Sequence, residues 1–335
     1  MRAAFFVGMG TFEVREVEPQ QPGDADALLE VRYCGVCGSD LSLFKTGILS
    51  GPDKVMGHEI SAVVVEDRTG RFEPGARVVP WPWRPCGVCM WCTEGRPMFC
   101  TGEIGGEQWG GYAEFSVYPT ENLLLIPDEL DDRTAALAEP LGVGLRGVRI
   151  AGVQEGDLCF VGGLGSIGLL AVAALVDTGA RVIGADPREE RRALGEKLGC
   201  ELVFDPVAED PWWKTLAVDP HGPKFSFECS GVASAVQQAI NVCGQLGTVV
   251  LLGMPIEPAT IFTPVIGVKE QRILSISGPT QETMREAIDI LGRRPEVASV
   301  ITSTVPLEDA ERAMHDLVEG HGGIKVLVEP GAVAA

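Results

Sequence analysis

Four cysteines follow one another at short intervals. Cys86, Cys89, Cys92 and Cys100 have the spacing Cys-x2-Cys-x2-Cys-x7-Cys. Four thiolates this close can surround one Zn2+ tetrahedrally and leave no open position, which is the chemistry of a structural metal site. Two disulfides are the alternative, and they are disfavoured because the opening MRAAFFVGMG is too short for an export signal. The remaining cysteines, apart from Cys37, are expected to be small buried apolar residues.

A second set of potential metal ligands consists of Cys37, the adjacent pair His58 and Glu59, and Glu139. Its three or four N, S and O donors could leave one position for water or substrate, as a catalytic zinc site requires. Zinc there would polarise an alcohol oxygen and lower its pKa, so that a hydride can leave the carbon. Whether Glu59 binds the metal directly or supports another ligand stays open.

Two polar residues close after Cys37 are candidates for proton transfer and orientation. Ser39 is expected to carry the hydroxyl proton away. Asp40 is expected to accept a hydrogen bond from the ring of His58 and so fix its tautomer. Glu59 joins them as a catalytic carboxylate if it is not a ligand. A turn or a helix cap is the alternative for Ser39 and Asp40.

A glycine-rich motif lies near the middle of the chain, between an apolar strand pattern and an apolar helix pattern. Gly163, Gly165 and Gly168 form a G-x-G-x-x-G. They would permit a tight turn, a close approach of the backbone to a pyrophosphate, and tight packing of helix on strand. The helix that starts at Ser166 and Ile167 would direct free N–H groups at the phosphates. This context favours a dinucleotide site over a purely structural turn.

Asp186 ends the next strand pattern, 18 residues after Gly168. Its carboxylate can accept hydrogen bonds from the adenosine ribose and would repel a 2′-phosphate, so NAD is favoured over NADP. Three nearby arginines weaken that preference, because one of them could bind a phosphate: Arg188, Arg191 and Arg192.

The surrounding patterns predict an α/β protein. Short β-branched runs fill the first 120 residues, and strand and helix patterns alternate after about residue 133, which indicates a doubly wound parallel sheet. Two helix patterns and the strand pattern IKVLVEP end the chain and are expected to pack back on the first domain. The predicted domains are residues 1–145 and 281–335 for a catalytic domain and 146–280 for an inserted nucleotide domain.

The composition narrows the classes of function. The 335 residues carry a formal charge of −20, which argues against non-specific binding to nucleic acid or to an anionic membrane. The longest apolar stretch, 160–176, is interrupted by glycines and is not expected to span a membrane. We expect a cytoplasmic protein with a small-molecule substrate.

Six segments together resemble the zinc-dependent medium-chain alcohol dehydrogenases, and within them the polyol (sorbitol-type), threonine and glucose dehydrogenases. The resemblance runs over nearly the whole chain. The segments are GVCGSD (35–40), GHE (57–59), the four-cysteine lobe (86–100), GGYAEF (110–115), AEPLGVG (138–144) and GGLGSIG (162–168).

The resemblance implies a GroES-like β-barrel catalytic domain, an inserted Rossmann domain, and a cleft between them that holds a catalytic zinc. Glu139 then stands near or on that zinc, and a helix-start carboxylate is its alternative role. Ile167 corresponds to an apolar residue behind the nicotinamide ring. Lys325 resembles a basic residue that contacts the pyrophosphate. A homodimer or homotetramer is implied, and 271–278 is a candidate edge for pairing between subunits.

The sequence departs from the family at two positions. Many relatives carry a relay histidine where this chain has Ser42, so the outer proton path must differ. Ala76 replaces the aspartate of the usual Gly-Asp-Arg-Val.

The sequence thus predicts a zinc-dependent, NAD-linked oxidation of a secondary alcohol on a polyol, sugar, aminocyclitol or hydroxy amino acid, with two zinc ions per chain. A simple alcohol or aldehyde dehydrogenase with a hydrophobic pocket is one alternative. A non-catalytic zinc- and nucleotide-binding protein is the other.

Overall fold

The protein is described by a computed structural model that covers residues 1–47, 53–102, 106–107 and 110–332. The chain forms two compact units. The first unit comprises Met1–Glu139, Thr280–Arg293 and Ile301–Ala335. The second unit comprises Pro140–Pro279 and Arg294–Val300.

Short strands dominate the first 139 residues. Short 3-10 turns cover Pro97–Phe99 and Thr120–Asn122. The strands and helices, in chain order, are β1 (Arg2–Gly8), β2 (Thr11–Glu16), β3 (Asp26–Gly35), α1 (Gly38–Thr46), β4 (Lys54–Val55), β5 (Glu59–Asp67), β6 (Arg77–Pro80), β7 (Trp83–Arg84), α2 (Met90–Thr93), β8 (Gly106–Glu107), β9 (Phe115–Pro119), β10 (Leu123–Leu125) and α3 (Asp132–Ala135).

Strands and helices alternate in the rest of the chain. Further 3-10 turns cover Pro295–Val300 and Leu307–Asp309. The elements continue as α4 (Ala138–Ala151), β11 (Leu158–Gly162), α5 (Ser166–Asp177), β12 (Arg181–Ala185), α6 (Glu189–Leu198), β13 (Leu202–Phe204), α7 (Pro211–Val218), β14 (Phe225–Glu228), α8 (Ala233–Val242), β15 (Thr248–Leu251), α9 (Thr263–Lys269), β16 (Arg272–Ser275), α10 (Gln281–Arg293), β17 (Ile301–Pro306), α11 (Ala310–Val318) and β18 (Lys325–Glu329).

The first unit is built on a seven-stranded sheet in the order β10-β6-β5-β3-β18-β17, with β9 also pairing with β3. β3 and β5 form the central antiparallel pair, and their apolar residues alternate toward a core that includes Phe6, Phe44 and Tyr118. The closing strand β18 pairs with β3, so the last strand joins the same sheet as strands from the first 139 residues. This pairing matters for the site, because β3, β5 and β18 carry or adjoin its residues.

The second unit contains a six-stranded parallel sheet in the order β13-β12-β11-β14-β15-β16. Its central strands β11 and β14 are short and fully buried, as parallel strands covered on both faces require, whereas the edge strand β16 is mostly exposed. The predicted doubly wound α/β sheet is therefore confirmed. The strand order reverses between β11 and β14: from β11 the chain builds the sheet on one side as far as β13 and then continues on the other side with β14. Ligands of such sheets bind at the carboxyl ends of the strands at this point.

Among the described residues, no helix combines the length and the apolar composition needed to cross a membrane.

Candidate active site

Three potential metal ligands meet where β3 and β5 run side by side in the first unit. Cys37 precedes α1, and His58 and Glu59 lie at the start of β5, where Gly35 pairs with Glu59. The ligand atoms of Cys37, His58 and Glu59 all lie within 4.8 Å of one another. A sulfur, a nitrogen and a carboxylate oxygen at this spacing fit the donor set of Zn2+.

Gly35 makes room for this cluster. A Cβ at that position would lie 1.9 Å from Oε2 of Glu59, so any side chain there would displace the carboxylate. The Glu59 carboxylate is itself buried, with 1% of its side chain exposed. The first glycine of the GVCGSD segment, Gly35, is therefore required by the packing of the site.

Lys325 lies beside the metal-ligand cluster, in contact with Glu59. Its Nζ donates to Oε1 and Oε2 of Glu59 at 2.8 and 2.6 Å and to the carbonyl of Val36 at 2.9 Å. These contacts use the three protons of a buried ammonium group inside the first unit. Lys325 is the counter-ion of Glu59, and its expected contact with a cofactor pyrophosphate stays a prediction.

Glu139 lies close to the cluster without belonging to the set of three. It is buried, and its charge acts on both His58 and Lys325. Burial lowers the pKa of His58, but the charges of Cys37, Asp40 and Glu139 outweigh it and raise that pKa well above its usual value. The same concentration of negative charge favours a bound cation.

Asp40 is a buried carboxylate with one oxygen fully engaged. Its Oδ2 accepts from the backbone N–H of Cys37 at 2.9 Å and from the hydroxyl of Tyr112 at 2.7 Å. Oδ1 accepts no hydrogen bond from the described residues. Burial raises the pKa of Asp40, and the nearby His58 opposes that rise. Asp40 thus caps α1, and its hydrogen-bond partners are Cys37 and Tyr112, so the expected hydrogen bond from the ring of His58 stays a prediction. Ser39, one residue earlier, is half-buried.

The four-cysteine lobe brings its sulfurs together. Cys89 Sγ lies 3.5 Å from Cys92 Sγ and 3.8 Å from Cys100 Sγ, and Cys86 Sγ lies 4.0 Å from Cys92 Sγ. Zn–S bonds of about 2.3 Å in a tetrahedron would place sulfurs about 3.8 Å apart. All ten cysteines are free, which excludes the disulfide alternative.

The four cysteines of the lobe can all be ionised at the same time only if a cation neutralises their charges. Backbone N–H groups of Thr101 and Cys92 lower the pKa of Cys89 to about 6. Desolvation, together with hydrogen bonds to the thiols of Cys89, Cys100 and Cys86, raises the pKa of Cys92 to about 12. A zinc ion removes this conflict by binding all four thiolates.

The glycine-rich turn joins β11 to α5 in the second unit. Asp186 holds it: Oδ2 accepts from the N–H of Leu164 and Oδ1 from the N–H of Arg188, both at 2.9 Å. Nη1 of Arg191 lies 3.4 Å from Oδ2. Asp186 is buried, so it organises the turn in addition to its predicted role at the ribose.

Two buried polar atoms beside this turn fit an anionic ligand. Oγ of Ser166 and Nε of Arg191 make no hydrogen bond to the described residues. Ser166 begins α5, whose N-terminal N–H groups favour a phosphate. The Arg191 guanidinium reaches to 3.7 Å from where a Cβ of Gly165 would stand. Ile167 is half-buried at the same helix start, and Arg188 caps α6. These residues fit a dinucleotide.

Sequence reasoning missed two residues at these sites. Tyr112 lies in the GGYAEF segment. The only sequence signal that could have identified it is that the chain has three tyrosines and that this one follows two glycines. Glu228 ends β14 as a buried carboxylate whose Oε1 accepts from the backbone N–H groups of Ser230 and Gly231 at 2.8 and 3.2 Å. Burial raises its pKa.

Comparison with known proteins gives two family matches. Residues 166–293 match the zinc-binding dehydrogenase family, and residues 23–128 match the alcohol dehydrogenase GroES-like domain. The predicted GroES-like domain is thereby confirmed.

Three similar proteins illustrate the relationship. A sorbitol dehydrogenase of Halalkalibacterium halodurans is 29% identical over 96% of this chain and 97% of its own. An L-threonine 3-dehydrogenase of Pyrococcus horikoshii is 32% identical over 79% of each chain. A protein of Sinorhizobium meliloti, described as a zinc-binding dehydrogenase and solved with bound NADP, is 32% identical, with a TM-score of 0.86 over 98% of this chain and 99% of its own.

With both domains matched and the metal-ligand clusters in place, the chain belongs to the zinc-dependent medium-chain alcohol dehydrogenase family.

Proposed function

We propose that this protein is a zinc-dependent oxidoreductase that transfers a hydride between a secondary alcohol and NAD. The substrate class is a polyol, sugar, aminocyclitol or hydroxy amino acid. The observation that carries the proposal is the convergence of Cys37, His58 and Glu59 in one cluster, in which Cys37 is half-buried and the other two are buried. Sorbitol and threonine dehydrogenases among its relatives support the substrate class.

The residues divide the chemistry among them. Zinc supplies Lewis-acid polarisation of the alcohol or carbonyl oxygen, and the nicotinamide supplies the hydride acceptor. Cys37 and His58 hold the metal, with a carboxylate from Glu139. Glu59 is held by Lys325, which favours a supporting role for Glu59. Asp40 orients His58. Ser39 takes the hydroxyl proton toward solvent, and Ser42 cannot replace the relay histidine of many relatives.

The proposal also specifies the cofactor and the number of zinc ions. Asp186 supports NAD over NADP because it would repel a 2′-phosphate. Residues that hold the dinucleotide are Gly163, Gly165, Ser166, Ile167, Gly168, Asp186, Arg188 and Arg191. Two zinc ions per chain are proposed, one at the open cluster and one in the lobe of Cys86, Cys89, Cys92 and Cys100.

Domain boundaries, assembly and location complete the proposal. Residues 1–145 and 281–335 act as the catalytic domain and 146–280 as the NAD domain. The protein works in the cytoplasm as a homodimer or homotetramer.

A spectrophotometric screen tests this function. Polyols, sugars, cyclitols and hydroxy acids are offered with NAD and with NADP, and cofactor reduction is followed. We expect turnover with a polyhydroxylated or hydroxy amino acid substrate and with NAD, and none from Cys37→Ala. Turnover of simple hydrophobic alcohols alone would contradict the substrate class. Metal analysis that finds one zinc in fully active protein would contradict the two-site proposal.

A further inference from the structure

Tyr112 lies behind the open metal cluster and has no part in the chemistry proposed above. Its ring is completely buried, and a Cβ on Gly57 would lie 2.9 Å from it. Gly57 has a positive φ of 89° and directly precedes His58. The Tyr112 ring therefore packs against the backbone that presents the histidine.

The segment that carries Tyr112 is tied to the same backbone. Gly110 and Gly111 both donate their N–H groups to the carbonyl of Gly57, at 3.0 and 2.9 Å. The N–H of Tyr112 donates to the carbonyl of Met56 at 2.9 Å. Three hydrogen bonds thus fix residues 110–112 to the approach of β5.

The hydroxyl of Tyr112 reaches the second arm of the site. It donates to Oδ2 of Asp40 at 2.7 Å, and the same oxygen accepts from the N–H of Cys37. Because burial and the charge of Asp40 raise the pKa of Tyr112 well above its usual value, the hydroxyl keeps its proton and is available to donate it to this carboxylate. One side chain therefore links the start of α1 with the start of β5.

We propose that Tyr112 is a positioning residue of the open zinc site, which sets the distance between Cys37 and His58 by holding Asp40. The proposal rests on the proposed zinc at Cys37 and His58. The hydroxyl and the N–H of Cys37 both bind Oδ2 of Asp40, whereas Oδ1 accepts no hydrogen bond from the described residues. Without the hydroxyl, Asp40 can rotate, and both ligands lose a constraint.

Tyr112→Phe tests the proposal, because it keeps the ring and removes only the hydroxyl. Zinc release into an excess of a chromophoric chelator should show two phases, one for each ion. Groups bonded directly to zinc ligands change metal affinity about 10–100-fold, so one step further out we expect the fast phase to accelerate about 3–10-fold. The slow phase of the closed lobe should not change. In Co2+-substituted protein, the absorption bands of the open site should shift.

Tyr118→Phe is the matched control, because Tyr118 is buried in the same core and lies on β9, paired with Ala27. It should change neither the fast phase nor the cobalt bands. A Tyr112→Phe protein with wild-type release and superimposable bands would overturn the proposal while leaving the zinc enzyme intact. Wild-type protein that releases a single zinc would instead overturn the proposed function. If Tyr112→Phe does not fold, labelling with 3-fluorotyrosine replaces it as the test, because this analogue keeps the ring and the hydroxyl but acidifies the phenol. The cobalt bands should then shift, and unchanged bands would overturn the proposal.

Discussion

At the scale of single residues, the pair of Glu59 and Lys325 is the most completely buried ion pair among the described residues, with 1% and 2% of the side chains exposed. Isolated charges of this kind are very costly to bury, and the direct contact offsets that cost. The pair also keeps a carboxylate beside the metal cluster in one orientation. Its integrity is therefore a condition for the site as well as for the fold.

Lys325→Met should lower the free energy of unfolding by about 3–5 kcal/mol, because it leaves the Glu59 charge buried without its partner. Chemical denaturation measures this change. Adding Glu59→Gln to Lys325→Met should restore part of the loss, since the orphaned charge is then gone. Lys214→Met is the control, because the side chains of its pair with Glu209 are 33% and 45% exposed and such a pair is worth about 1 kcal/mol or less. Equal losses from both lysine variants would contradict the prediction.

Asp186 should set cofactor preference. Asp186→Asn keeps most of the volume and one acceptor oxygen, but it removes the charge that repels a 2′-phosphate. The ratio of the dissociation constants of NADPH and NADH should fall several-fold, as measured by quenching of protein fluorescence. An unchanged ratio would mean that Arg188, Arg191 or Arg192 decides the preference.

At the scale of elements, the turn between β11 and α5 separates two functions of glycine. A Cβ on Gly168 would lie 1.8 Å from the carbonyl oxygen of Gly163, whereas a Cβ on Gly165 would meet only the Arg191 side chain, at 3.7 Å. Gly168 is therefore required for folding, whereas Gly165 leaves space in which a ligand can approach the backbone.

Gly168→Ala should lower the melting temperature of the protein, because the helix can no longer pack against the turn. Gly165→Ala should melt like wild type and lose NADH affinity, because its methyl group occupies the approach to the pyrophosphate. Gly267→Ala in α9 is the control, since its Cβ would meet nothing within 4 Å. Calorimetry and NADH titration of the three variants decide this, and wild-type NADH affinity in Gly165→Ala would place the pyrophosphate elsewhere.

The two metal sites should respond differently to loss of a ligand. Cys92→Ser should destabilise the 86–100 lobe, because a hydroxyl replaces a thiolate in a closed shell. Glu139→Ala should leave melting nearly unchanged and reduce turnover or zinc affinity about 10–100-fold. Cys37→Ala should be more severe at the same site. Thermal melts, zinc content and turnover compare the three, and wild-type turnover in Glu139→Ala would reduce Glu139 to a helix-start carboxylate.

Sequence patterns predicted elements that have strong local signals and missed those that do not. The closing strand expected from IKVLVEP is β18 (Lys325–Glu329). β17 was not predicted, because ITSTVP has no apolar alternation and is a strand through its parallel pairing with β18. α7 and α9 were also missed, since helices this short show little apolar periodicity.

The residues of the candidate site also include some that the sequence predicted and some that it did not. Cys37, His58 and Glu59 were predictable, because ligand types in short motifs identify themselves. The contact of Lys325 with Glu59 was not, because no local pattern marks a pairing between residues so far apart in sequence. The bond from Tyr112 to Asp40 also depends on tertiary packing alone.

At the scale of the whole molecule, β16 ends the six-stranded sheet of the second unit within the described residues and falls in the 271–278 segment proposed for subunit pairing. Ile273 on this strand is 37% exposed. An open edge can pair with a second copy of the same strand.

Ile273→Lys should shift the protein toward monomer, because a charged side chain on an edge strand opposes pairing. Sedimentation equilibrium measures the change. Val207→Lys is the control, since Val207 is 84% exposed on the same unit. Retention of the wild-type assembly by Ile273→Lys would place the interface elsewhere.

The pairing of β3 with β18 also has a consequence for biosynthesis. Glu59 and Lys325 are 266 positions apart. At about 5–20 residues per second, Glu59 leaves the ribosome roughly 15–50 s before its counter-ion is made. The second unit, whose sheet is complete by Ser275, can fold during that interval. The half-built first unit meanwhile exposes an unpaired carboxylate and an open strand, so we expect nascent chains shorter than about 330 residues to depend on chaperones.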